Sequence, residues 1–153
     1  MSSEKLRYLN RGPSAPLHWT ELKTHLQEFE HTRLVELLWM SAQNNAVLWK
    51  ALMASVAMQQ ANGDWEKTKA AIDHSFYFKD YVRYTDCKCG IILNEMLNAL
   101  EILKNKVSVE FALRVAHYIF DRGQDLLMNF EDGWDWTLAL EELEKWTKNN
   151  HAI

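Results

Sequence analysis

The chain has 153 residues, 48% of them hydrophobic and 25% charged, and a formal net charge of −4 at pH 7. This composition fits a folded globular chain of one domain's size rather than a disordered one. The negative balance argues against direct nucleic-acid binding, whose affinity comes from Lys and Arg neutralising phosphates.

Only two prolines occur, Pro13 and Pro16, and the five glycines are scattered. Nothing after Leu17 except those glycines breaks helices, so an all-α chain is expected. Residues 1–16 read as a polar lead-in ending at "GPSAP", with 17–153 as one helical domain. The start, "MSSEKLRYLNRG", lacks the apolar stretch of a secretory signal. The most apolar run, "AVLWKALMASVAM", is too short to span a bilayer and contains Lys50, so no membrane role is expected. Cys87 and Cys89 are too few for a disulfide framework, and cytoplasmic residence follows as the expectation.

Trp19, Leu22, Leu26 and Phe29 recur at helical spacing and predict a first helix through about Glu30 with these residues facing inward. Leu34, Val35, Leu38 and Ala42 predict a second. Asn45 caps a third, through Leu48, Leu52, Ser55, Val56 and Gln59, which stops near Asn62-Gly63. Asp64 caps a fourth through Trp65, Thr68, Ile72 and Phe76. The run "FYFKDYVRYTD" interrupts the pattern, and Thr85 or Asp86 would cap the fifth helix, marked by Ile92, Met96, Ala99, Leu100 and Leu103. Ser108 caps a long sixth helix, with Glu110 in its first turn. Gly123 lies on that helix's apolar stripe, where a missing side chain lets a neighbour approach closely. A last helix follows "EDGWD", with Leu140, Leu143 and Trp146 or Thr147 inward, capped by Asp132 or Asp135, and with Trp134 and Trp136 locking it to the sixth. About seven helices with short connections predict antiparallel hairpins, closed into a compact bundle or stacked as a short α-α solenoid. No fixed-period repeat selects the solenoid.

Metal-binding patterns are sparse. Cys87 and Cys89, one residue apart, point about 200° apart on a helix and have no second pair, whereas structural zinc needs four ligands. His18, Glu21, His25 and Glu28 share a broad face of the first helix, as ligands of metal-carrying bundles do. Trp19, Leu22, Leu26 and Phe29 define the inward stripe, which leaves the histidines and glutamates to flank it or face water. No metal or other cofactor is therefore expected.

Catalytic motifs are also missing. There is no Gly-x-Ser-x-Gly elbow, glycine-rich phosphate loop or His-Glu-x-x-His. Asp73 and His74, adjacent on a helix, diverge by about 100° and cannot easily serve one substrate atom. His117 reads as a flank or core histidine.

Two stretches stand apart. In "FYFKDYVRY", Phe76, Tyr77, Phe78, Tyr81 and Tyr84 are too dense for one helix face to bury, and Lys79 and Arg83 are interleaved. Residues 121 to 144 carry Asp121, Asp125, Glu131, Asp132, Asp135, Glu141, Glu142 and Glu144 against Arg122 alone. Tyr, Trp and Arg dominate binding hot spots, and an acidic surface suits a basic partner. Tyr77, Tyr81, Arg83, Tyr84, Glu131, Asp132, Trp134 and Asp135 are thus the expected partner-binding residues.

The segments "TRLVELLWMSAQNNAVLWKAL", "AIDHSFYFKDYVRYTDCKCGIILNEMLNALEIL" and "FALRVAHYIFDRGQDLLMNFEDGWDW" follow one another in an order that resembles the helical domain beside SWIM zinc fingers in some bacterial proteins. There, too, a leucine-rich hairpin precedes an aromatic stretch and a long helix, and a later helix ends at an acidic glycine turn, here Glu131-Asp132-Gly133. The finger's Cys-x-Cys and Cys-x-His pairs are not both present: the chain has Cys87-Lys88-Cys89 alone. The resemblance implies an α-α superhelix used for interaction.

These features converge on a non-catalytic protein–protein interaction module with an unidentified protein partner. The alternative is a small acidic inhibitor or immunity-type protein that covers the basic site of a nucleic-acid enzyme.

Overall fold

A computed structural model describes residues 16–78, 89–130 and 133–151. Among these the fold is all-α, with α1 (Trp19–Leu26), α2 (His31–Gln43), α3 (Ala46–Ala61), α4 (Trp65–Ser75), α5 (Gly90–Lys106), α6 (Val109–Asp125) and α7 (Trp134–His151). A single 3-10 turn, Leu126–Asn129, follows α6. No described helix is long and apolar enough to cross a membrane. Contacts divide the chain into two units, Met1–Met40 and Ser41–Ile153, with the boundary inside α2.

Predicted caps account for most helix starts in the second unit. The side chains of Asn45, Asp64 and Ser108 accept the backbone N–H of Leu48, Lys67 and Phe111, satisfying donors that an isolated helix end leaves orphaned. Asn62 ends α3 in the left-handed conformation, at φ 46°, and Gly63 follows at φ 93°. The start of α5 differs from expectation. Thr85 and Asp86 lie outside the described residues, and α5 begins at Gly90 after Cys89, whose side chain makes no capping bond. The Gly90 N–H donates instead to Asp135 Oδ2 of α7, at 2.7 Å. A carboxylate distant in sequence thus replaces the local cap.

Contacts along the helices fix their directions in the second unit. Ser75 Oγ donates to the Lys50 carbonyl, so α4 returns antiparallel to α3 after the turn at Asn62. Arg114 stacks 3.8 Å from the centre of the Trp65 ring and Arg122 Nε lies 3.4 Å from Asp73 Oδ1, making α4 and α6 parallel. Gly90 meets Asp135 while Trp146 Nε1 donates to Glu101 Oε2, making α5 and α7 parallel. Against α6, α7 is antiparallel: Gly123 meets Trp136 and Leu140, and His117 meets His151 farther on. The five helices alternate in direction and pack as a compact bundle in which α5 contacts α3, α6 and α7.

Its core comprises Met58 of α3, Ile72 of α4, Ile92, Met96, Leu100 and Leu103 of α5, Val115 and Ile119 of α6, and Trp136 and Leu143 of α7. Gly123 has the predicted role: a Cβ there would lie 2.8 Å from Leu140 Cδ2, so the bare backbone admits α7.

The first unit corrects the sequence reading. α1 ends at Leu26 rather than near Glu30, and none of its residues is buried. Trp19 and Leu22, expected inward, are about half exposed. A periodic apolar pattern therefore forms a helix there without burying it. Trp39 is likewise exposed, leaving Trp136 as the fully buried tryptophan among the described residues.

Candidate functional site

The end of the bundle where α4 stops, and where α5 and α7 begin, gathers a set of packed aromatic rings. Phe76 and Trp136 are buried and meet edge to face at 5.5 Å between centroids. Trp136 continues to Phe130 at 5.0 Å, and Phe130 to the half-buried Phe78 at 5.7 Å. This chain of four rings joins residues 76–78 to residues 130–136, the two stretches singled out in the sequence. Offset and edge-to-face ring pairs add about 0.5–1.5 kcal/mol each beyond the area they bury. Trp136 is further held by its indole N–H, which donates to the Gly123 carbonyl at 2.7 Å.

Close to these rings in the chain, two side chains are exposed, Tyr77 at 67% and Trp134 at 65%. The Tyr77 backbone is held by Lys50, whose Nζ donates to its carbonyl at 2.8 Å and lies 5.4 Å from the centre of the Phe78 ring. Met128, in the 3-10 turn, is also exposed. Rigid aromatic side chains presented from a packed base are the features that carry energy at protein interfaces. No family model, curated protein or solved structure matches the chain.

The predicted site residues divide into three groups. Tyr77 and Trp134 are exposed, and of the two tryptophans expected to lock α7 against α6, Trp136 is buried and bonded to the Gly123 carbonyl. Alternate positions at a helix start point different ways, so one indole is buried and the other is not. Asp135 is turned to the Gly90 N–H and serves the fold. Tyr81, Arg83, Tyr84, Glu131 and Asp132 lie outside the described residues.

The other sequence candidates resolve into local structure. His18 caps α1, with Nδ1 accepting the Thr20 N–H at 3.3 Å and lying 2.7 Å from Thr20 Oγ1. His25 lies 3.9 Å from Glu28, and both are exposed. Asp73 faces α6, where it accepts the Tyr118 hydroxyl at 2.5 Å beside Arg122. Burial, then the hydrogen bond to Asp73, pushes the Tyr118 hydroxyl up to about 12. Its neighbour His74 lines a different surface, the groove between α3 and α4 with Met53 and Ala57. Glu101 is held below the usual carboxylate range by Lys104, with the Trp146 indole N–H second. Glu142 and Glu144 are paired with Lys145 and Lys148 of their own helix.

Sequence reasoning missed the Gly90–Asp135 bond, the support of Tyr77 by Lys50, and the facing of His117 and His151. The first had a signal, since Asp135 stands in the first turn of α7 and Gly90 at the start of α5. The other two depend on which helices become neighbours.

Proposed function

We propose that the protein is a non-catalytic protein-binding module whose contact surface is the aromatic end of the 41–153 bundle. The observation that carries this reading is that Tyr77 and Trp134 are exposed and stand within two residues, along the chain, of the packed rings Phe76, Phe78, Phe130 and Trp136. An exposed aromatic on a mobile loop loses side-chain and backbone entropy on binding. One rooted in a core loses less, and so contributes more to affinity. The resemblance in feature order to the helical domains beside SWIM zinc fingers agrees with an interaction role. A cytoplasmic setting and a partner with basic character complete the proposal.

The inhibitor reading needs one continuous acidic face. Asp135 caps α5, and Glu142 and Glu144 have lysine partners, so three of its carboxylates are already engaged. The aromatic surface is therefore the favoured site.

The test is capture of a specific partner from cell extract by the full chain and by a Tyr77→Ala/Trp134→Ala double variant. Each truncation at a hot spot costs about 2 kcal/mol, roughly 30-fold in affinity, so the double variant should lose the partner while keeping its melting temperature. Retention of the same partner by the double variant at full strength would refute the site.

A further inference from the structure

A second feature lies toward the carboxyl end of α7, away from the aromatic end. His117 of α6 and His151 of α7 face each other with their Nε2 atoms 3.2 Å apart. We propose that this pair is a two-histidine clamp for a borderline divalent transition-metal ion of the Zn2+ class.

Imidazole nitrogens bind Zn2+ at about 2.0–2.1 Å, and an ion at that distance from two nitrogens 3.2 Å apart subtends an angle of about 100°. This lies between the right angle of octahedral or square-planar sites and the tetrahedral angle, so the spacing of the two nitrogens suits one ion once both rings turn their lone pairs to it. Imidazole selects Zn2+, Ni2+ and Cu2+ over the hard ions Ca2+ and Mg2+, which prefer oxygen. A cavity of about 270 Å3 adjoins the pair, lined by Phe120, Glu144, Thr147 and Lys148, and it leaves room for the waters that would complete the coordination. The Lys148 ammonium, unfavourable beside a cation, is paired with Glu144 at 3.1 Å. No group of three or more His, Cys, Asp and Glu side chains gathers to hold a metal among the described residues, so the protein supplies two donors here.

Without an ion, the close approach requires one ring to donate an Nε2 proton to the other. With an ion, both rings take the Nδ1–H tautomer and turn their Nε2 lone pairs to the metal, with no net proton gained or lost. Because the donors come from two helices, the loaded site ties the last turn of α7 to the middle of α6. Ions that bind the folded chain alone raise its stability by mass action.

The experiment is calorimetric titration of the tag-free full chain with ZnCl2, beside His117→Gln, His151→Gln and the control His74→Gln. Binding of one ion per chain is expected. Removing one arm of a two-arm grip costs roughly a hundredfold in affinity, so each clamp variant should weaken binding that much while His74→Gln leaves it unchanged. Both clamp histidines are exposed, so the variants should melt like the parent without metal. A readout on the unaltered chain stands beside this: Zn2+ should shift the ring signals of two of its six histidines in NMR spectra. Absence of binding to the parent chain, affinity unchanged in both clamp variants, or shifts at histidines other than these two would each overturn the proposal.

Discussion

Replacing Asp135 with Ala removes the carboxylate that accepts the Gly90 N–H at the start of α5. Asp135 Oδ2 accepts the Gly90 N–H at 2.7 Å, and Cys89, in the capping position, makes no side-chain capping bond. Losing an equivalent local cap costs about 0.5–2 kcal/mol. Asp135 also stands in the first turn of α7, where a negative charge near the helix dipole is worth about 0.3–1 kcal/mol. Together these predict a loss of about 2 kcal/mol, which for a chain of this size lowers the melting temperature by about 4–8 °C. Asp135→Asn keeps an acceptor and should lose less than half as much.

Gly90→Ala tests the same contact from the other side. A Cβ at Gly90 would lie 2.6 Å from Asp135 Oδ2 and 2.9 Å from the Asp135 carbonyl oxygen. The backbone oxygen cannot rotate away, so the contact must open, and overpacking of this kind costs about 1–3 kcal/mol against a helix-propensity gain of at most about 1 kcal/mol. Equilibrium urea unfolding, with an unchanged slope, measures both effects. The double variant should be less destabilised than the sum of the singles, by about 1 kcal/mol, because each change breaks the same bond. An Asp135→Ala protein within about 0.5 kcal/mol of the parent, the range of ordinary surface changes, would refute the reasoning.

Trp136→Phe should destabilise less than Trp136→Ala, which removes a side chain buried to 1% exposure and should cost about 3–5 kcal/mol by urea unfolding. The difference reports the indole's bond to Gly123 against its packing on Phe76 and Phe130. Tyr118, pushed up to about 12, should titrate above the ordinary tyrosine value of about 10 in a phenolate absorbance titration, and Tyr118→Phe should remove that late step. Its folded value is raised, so the stability it contributes is complete below about pH 10, where an unfolded tyrosine titrates, and is lost as pH rises from there through 12. Loss of partner capture in Tyr77→Ala/Trp134→Ala with an unchanged melting temperature is the corresponding test of the aromatic surface.

What could be read from the chain alone was local. Asn45, Asp64 and Ser108 mark their helix starts because a cap needs only a side-chain oxygen two or three residues from an orphaned N–H. The Asn62-Gly63 stop and the all-α class follow equally from short-range chemistry, and Gly123 signalled a close helix approach by standing on an apolar stripe. Of the rings in "FYFKDYVRY" and around Trp134 that the structure describes, Tyr77 and Trp134 are exposed and Phe76 and Trp136 are buried. Tertiary structure decided everything that required knowing a neighbour. An apolar stripe says that a helix face seeks cover, not whether the fold provides it: the same spacing that buries Leu100 and Leu103 in α5 leaves Trp19 and Leu22 exposed in α1. Asp135 changed from a partner-binding candidate to a cap because α5 and α7 lie side by side and parallel, and His117 acquired its counterpart because α6 and α7 lie antiparallel. Periodicity fixes which way a side chain points from its own helix axis. What it meets there depends on packing between segments far apart in the chain.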